Sequence, residues 1–117
     1  MNFLVVDDNE SIITLFSYLL KSLGHSSISA SNGEEAINKY RTQKPDIVFM
    51  DLNMPNKDGF ETMEEIRQID PGANIVFVTA EADKRVVQSN SNGTSTLLEK
   101  PLKVSDIKKV VHSFETP

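Results

Sequence analysis

The hydrophobic positions along this chain of 117 residues fall into two alternating patterns. One pattern is a short continuous apolar run that ends at polar or turn-forming residues. Such runs are typical of strands that are buried on both faces of a sheet. This pattern predicts strands over residues 3–6, 27–30, 47–50, 75–78 and 96–98, of which the second is the least apolar.

The second pattern is an apolar spacing of three and four residues, which is typical of amphipathic helices. It predicts helices over 10–23, 34–43, 60–69 and 83–90, and a last helix that Ser105 caps and that runs to Phe114. Gly24 is expected to end the first helix. The helix over 83–90 is poor, since only Val86 and Val87 are clearly apolar. Five strands alternating with five helices predict an α/β protein with a five-stranded parallel sheet, doubly wound and flavodoxin-like, in a (βα)5 three-layer sandwich.

Size and charge narrow the classes of function. The length suits one domain over residues 1–117, and 38% hydrophobic residues can form a core. A net charge of −5 without a basic run gives no support to nucleic-acid binding. The absence of cysteine excludes disulfides, thiolate metal sites and a thiol nucleophile. No apolar run approaches the ~20 residues of a membrane span, and no signal peptide is visible, so we expect a cytoplasmic protein without membrane contact.

Polar side chains stand where the predicted strands end. Asp7 and Asp8 follow the first strand, Asp51 the third, Thr79 the fourth and Lys100 the fifth. In a doubly wound sheet these ends lie at one edge, where ligands bind. The joint occurrence of acids, a hydroxyl and a lysine at that edge predicts a functional site there.

Three acids in one cleft require a counter-charge. Two carboxylates ~4 Å apart repel by about 4 kcal/mol at an effective dielectric constant near 20. They therefore need a cation or raised pKa values. Ligands that are all oxygen favour Mg²⁺. An aspartate in such a cleft can act as a nucleophile and form an acyl phosphate, while the metal, Lys100 and Thr79 stabilise the charge on the transferred oxygens.

Several motifs in this chain resemble those of response-regulator receiver domains, in particular the single-domain chemotaxis regulators. The resemblance covers essentially the whole chain, in the order and spacing of the family. The motifs are Val5-Val6-Asp7-Asp8-Asn9-Glu10, the segment from Pro45 to Pro55 around Asp51, Asp58-Gly59, Val78-Thr79-Ala80 and Lys100-Pro101.

This resemblance implies a role for each of these residues in two-component signal transduction. Asp51 would accept the phosphoryl group. Asp7 or Asp8, with Asp51 and the backbone carbonyl of Asn53, would hold Mg²⁺. Thr79 would bond a phosphoryl oxygen and shift on activation. Lys100 would pair with the phosphoryl group, and the Lys100–Pro101 peptide bond would be cis. The donor would be a histidine kinase or a histidine phosphotransfer protein, and the domain would catalyse only its own phosphorylation and autodephosphorylation.

Two features concern the lifetime and the output of the phosphorylated state. Asn53 and Glu81 occupy the positions that influence phosphoryl lifetime in the family, and both are polar, so we expect a short-lived phosphorylated state. Leu97 stands where receivers usually carry an aromatic residue that follows the threonine, so the usual coupling cannot operate in that form. The resemblance also implies an output face for a downstream protein on the predicted fourth helix, the fifth strand and the last helix.

Three other functions compete with this interpretation. A haloacid-dehalogenase-type phosphatase would need an Asp-x-Asp pattern after the first strand, and Asp7-Asp8 lacks that spacing. A flavodoxin-like nucleotide binder would need a glycine- or hydroxyl-rich phosphate loop at the same place. A pseudo-receiver that only binds a partner is disfavoured by the full set of Asp8, Asp51, Thr79 and Lys100, although Leu97 favours some loss of switching.

A few other polar and apolar residues are expected to have structural roles and not functional ones. Asn9 is expected to cap the first helix and Glu10 to begin it. His25 follows Gly24 and is expected to be solvated. We expect Met54 to pack in its loop.

Overall fold

The sheet and its helices are described by a computed structural model that covers residues 1–54, 56–80 and 95–115. Within these residues there are five strands and four helices. The strands are β1 (Asn2–Val6), β2 (Ser26–Ala30), β3 (Ile47–Asp51), β4 (Asn74–Thr79) and β5 (Ser95–Glu99). The helices are α1 (Glu10–Ser22), α2 (Gly33–Gln43), α3 (Gly59–Ile69) and α4 (Val104–Glu115). The predicted helix over 83–90 lies outside the described residues.

All neighbouring strands are parallel, and the sheet order is β2-β1-β3-β4-β5. The chain moves outward from β1 to β2 in one direction and returns to β3 on the other side. The order therefore reverses between β1 and β3, which is where a doubly wound sheet opens its binding crevice. The predicted doubly wound parallel sheet is confirmed.

The strands supply two hydrophobic cores, one on each face of the sheet. Successive residues of a strand point to opposite faces, so Phe3 and Val5 enter one core while Leu4 and Val6 enter the other. Helices α1 and α4 cover the first face, and α2 and α3 cover the second. This arrangement is the predicted three-layer sandwich, and it explains the continuous apolar runs of β1, β3 and β4.

Side-chain caps begin three of the helices. Asn9 accepts a hydrogen bond from the Ser11 amide, as predicted for the cap of α1, and Asn32 accepts one from Glu35. Asp58 and Glu61 form a capping box at the start of α3. Gly24 ends α1 with a φ of 87°, a left-handed conformation that glycine adopts without a steric penalty.

Two local predictions were wrong. Helix α4 begins at Val104, so Ser105 lies inside its first turn and does not cap it. The side chain of His25 is only 9% exposed. Its ring lies edge-on against Phe3, with 5.3 Å between centroids, and its Nε2 lies 3.2 Å from a carboxylate oxygen of Glu115. The end of α4 therefore covers a histidine that was expected in solvent.

In the described parts of the chain, no helix combines the length and the apolar character needed to cross a bilayer.

Candidate functional site

The carboxyl edge of the sheet brings the predicted acids together. Asp7 directly follows β1, and Asp51 is the last residue of the adjacent β3. Both side chains are buried, with 2% and 3% of the residue exposed, whereas Asp8 is exposed. One carboxylate oxygen from each of Asp7, Asp8 and Asp51 lies within 4.8 Å of the others. The three acids thus form one cluster that opens to solvent on the side of Asp8.

Backbone amides orient the two buried carboxylates. The amide of Asn9 donates to Oδ1 of Asp7 over 2.9 Å, and the amide of Asn53 donates to Oδ1 of Asp51 over 3.2 Å. Among the described residues, no hydrogen bond reaches Oδ2 of Asp51. The loop after β3 therefore holds Asp51 by one oxygen and leaves the other available for chemistry.

Burial sets the protonation behaviour of the two acids. Desolvation is the largest influence on Asp51 and raises its pKa above the ordinary value, and the nearby Asp7 carboxylate raises it further. The Asn53 amide and Lys100 oppose this shift without cancelling it. Desolvation likewise raises the pKa of Asp7, against the Asn9 amide and Lys100. Two buried carboxylates that resist ionisation together are a site where a cation is favourable.

Lys100 brings a positive charge close to both buried acids. Its Nζ lies 3.6 Å from Oδ2 of Asp7 and 3.7 Å from Oδ1 of Asp51, and its side chain is 28% exposed. Its backbone amide donates to the carbonyl oxygen of Thr79 over 2.8 Å, which ties the end of β5 to the end of β4. The Lys100–Pro101 peptide bond is cis, as predicted. The lysine therefore reaches both buried acids from the neighbouring strand end.

The structure describes three of the other four predicted site residues. Thr79 ends β4 and is buried at the same edge. Asn53 is exposed in the loop after β3. Leu97 is partly buried and packs against the core beneath α2 and α3. Glu81 lies outside the described residues.

Gly59 has a steric role that the sequence did not reveal. A Cβ atom at this position would lie 2.9 Å from the Cα of Leu52 and 3.0 Å from the carbonyl carbon of Asp51. The Gly59 amide also donates to the carbonyl oxygen of Leu52 over 3.1 Å. Only a residue without a side chain lets the start of α3 approach the end of β3 this closely. The Asp58-Gly59 pair is visible in the sequence as a motif, but its contact with β3 depends on the fold.

The sequence matches the family model "Response regulator receiver domain" over residues 3–112. One curated relative is the chemotaxis protein CheY of Thermotoga maritima, which is 32% identical over 111 residues that cover 93% of this chain and 92% of the relative. Another is the alkaline phosphatase synthesis transcriptional regulatory protein PhoP of Bacillus subtilis, which is 43% identical over 81 residues. That match covers 69% of this chain but only 34% of PhoP.

Solved structures give the same result. A chain in the crystal structure of the CheX-CheY-BeF3-Mg²⁺ complex from Borrelia burgdorferi matches this fold with a TM-score of 0.90 and 28% sequence identity. The match covers all of this chain and 90% of the chain in that structure. The family match disfavours the phosphatase and the flavodoxin-like nucleotide binder. The fold and the acidic edge of the sheet are consistent with these matches. The chain belongs to the response regulator receiver domain family of two-component signalling.

Proposed function

We propose that this domain, over residues 1–117, is a Mg²⁺-dependent phosphorylation switch that accepts a phosphoryl group on Asp51. The observation that carries the proposal is the state of Asp51. Its carboxylate is buried, held at Oδ1 by the Asn53 amide and approached by Lys100, and it has one oxygen without a hydrogen bond from the described residues. A positioned carboxylate with one available oxygen suits a nucleophile.

The acidic cluster has the chemistry that Mg²⁺ requires. Asp7, Asp8 and Asp51 offer carboxylate oxygens close to one another, and the exposed side of the cluster leaves room for waters. The backbone carbonyl of Asn53 would complete the protein ligands. When bound, the metal would neutralise charge on the carboxylates and on the oxygens of the phosphoryl group.

The residues of the chain account for the transfer. Asp51 would attack phosphorus, the bond between phosphorus and the imidazole nitrogen of a phosphohistidine donor would break, and the histidine would keep the electron pair. Lys100 would pair with the phosphoryl oxygens, because its ammonium group already lies close to Asp51. The hydroxyl of Thr79, at the end of the next strand, would donate to another of these oxygens. The domain would act only on its own aspartate and would then hydrolyse the acyl phosphate on Asp51. The phosphorylated state would be short-lived, and Asn53 and Glu81 would influence its lifetime.

The partners belong to the same proposal. A histidine kinase or a histidine phosphotransfer protein would supply the phosphoryl group. The relatives include the sensor kinase/phosphatase LuxN of Vibrio harveyi, of which this chain matches only 13%. A downstream protein would bind the face that includes β5 and α4. Leu97 on β5 would be a switch residue that lacks the aromatic ring usual at this position.

Intact-protein mass spectrometry after incubation with acetyl phosphate tests the proposal. We expect a gain of one phosphoryl group that requires both Mg²⁺ and Asp51, so that Asp51→Asn shows no gain. Asp46→Asn is a matched control, because Asp46 is an exposed aspartate that bonds the Asn2 amide away from the cluster. A folded wild-type protein that gains no mass under any condition would instead support a pseudo-receiver that only binds partners.

A further inference from the structure

Lys57 joins the loop after β3 to two helices. The described part of this loop consists of residues 52–54 and 56–58 and carries Asn53. The ammonium group of Lys57 forms an ion pair with Glu65 on α3. Its aliphatic stem packs on the first residue of α2, because a Cβ atom at Gly33 would lie 3.1 Å from Cδ and 3.2 Å from Cγ of Lys57. One partly buried side chain therefore connects the loop, α2 and α3.

The rest of the loop is held at two other places. Its base is closed by the hydrogen bond from the Gly59 amide to the Leu52 carbonyl oxygen. Its first half is anchored by Met54, which is 7% exposed and packs in the core beneath α2 and α3. Asn56, beside Lys57, has a φ of 71°, in the left-handed region that asparagine adopts more readily than most other residues. The contacts of Lys57 with Glu65 and Gly33 hold the second half of the loop.

We propose that Lys57, through Glu65, is a positioning residue for the metal site, because it fixes the loop that presents the Asn53 carbonyl to the cation. The inference rests on the proposed Mg²⁺-dependent function. A loop that is ordered before the ligand arrives loses less conformational entropy when the ligand binds. Breaking the ion pair should therefore weaken Mg²⁺ binding even though Lys57 does not belong to the acidic cluster.

Removing the charge of Lys57 would change the affinity for Mg²⁺ in opposite directions, depending on whether Lys57 acts as a charge or positions the loop. If Lys57 acted only as a positive charge near the cluster, its neutralisation would strengthen the binding of a cation. If Lys57 positions the loop, its neutralisation weakens that binding. Lys57→Met is the suitable variant, since methionine retains much of the stem that packs on Gly33 and removes only the ammonium group.

Isothermal titration calorimetry with MgCl₂ alone, on the whole chain, measures the affinity. We expect Lys57→Met to raise the Kd at least threefold and Lys57→Arg to stay within a factor of two of the wild type. The matched control is Lys39→Met, which removes an equal charge and also breaks an ion pair, with Glu35, on α2. Lys39→Met should not raise the Kd.

Hydrogen exchange in metal-free protein supplies a second readout, which reports the order of the loop in the absence of any cation. In Lys57→Met, the amides of Asn53 and Asn56 should exchange faster than in the wild type, while amides in β3 keep their rates. The inference is overturned if the wild type binds Mg²⁺ and Lys57→Met binds it equally well or more tightly. A wild-type protein that binds no Mg²⁺ overturns the proposed function itself, and this inference with it.

Discussion

Asp7, Asp8 and Asp51 are chemically identical side chains, and the fold makes them different. Asp7 and Asp51 are buried next to each other, so their carboxylates lose hydration and repel, whereas Asp8 stays exposed. The backbone amides of Asn9 and Asn53 and the ammonium group of Lys100 recover only part of this cost. The metal-free protein therefore carries a local instability at the place where its chemistry is proposed to occur.

This instability predicts a pH-dependent effect of Asp51→Asn. Because the pKa of Asp51 is raised in the folded protein, the metal-free protein loses stability as the pH rises from the ordinary value of 3.8 through the raised value, and it stays less stable above it. An asparagine keeps the bond from the Asn53 amide without the charge. At pH 7 in EDTA, urea unfolding should show a gain on the order of 1 kcal/mol. The gain should disappear below pH 3.8, and an Asp51→Asn protein that is less stable at pH 7 would refute this reasoning.

At the scale of the elements, the boundaries are decided by a few side chains and by close contacts. Asn9 and Asp58 begin their helices by accepting hydrogen bonds from amides of the first turn. Gly59 begins α3 for a different reason, since α3 lies against the end of β3 at a distance that excludes a side chain. The position of β3 and the start of α3 are thus coupled through one glycine.

Gly59→Ala should expose this coupling. The added methyl group would overlap the backbone of Asp51 and Leu52, which cannot yield as a flexible side chain can. We expect a loss of about 2 kcal/mol in the free energy of unfolding in urea. Gly72→Ala is the matched control, since its nearest atom would lie at an ordinary 3.7 Å and the residue is exposed. Equal stabilities of the two variants would mean that α3 moves away at little cost.

At the scale of the whole molecule, sequence patterns predicted most of the fold because β1, β3 and β4 are buried on both faces. The runs 47–50 and 75–78 contain only apolar residues, and each ends at a residue of the site. The burial of His25 was missed because it depends on the end of α4, which is 90 residues away. The contacts of Lys57 were missed for a similar reason, since Gly33 and Glu65 meet it only after α2 and α3 pack. Acids at strand ends can be recognised in a sequence, but a lysine that reaches across three elements cannot.

The stability of the entire domain should respond to the metal. A cation that binds only the folded state stabilises it by about 2.7 kcal/mol when its concentration is 100 times its Kd. At pH 7, Mg²⁺ should therefore raise the urea midpoint and EDTA should reverse the change. Near pH 4 the gain should shrink, because protons compete for Asp7 and Asp51, whose pKa values are raised. Identical midpoints in Mg²⁺ and EDTA at pH 7 would contradict the metal site.

The alternation of strand residues between the two cores also limits which changes of length the gene can accept. If one codon were inserted within β3, every later side chain of the strand would turn to the opposite face, and Phe49 and Met50 would exchange the helices they contact. Asp51 would then leave the edge where Asp7 and Lys100 lie. The exposed turn at Pro71 and Gly72 carries no such parity, since no strand passes through it. Insertions and deletions in related genes are therefore expected to collect in such turns, while the five-residue length of β3 remains constant.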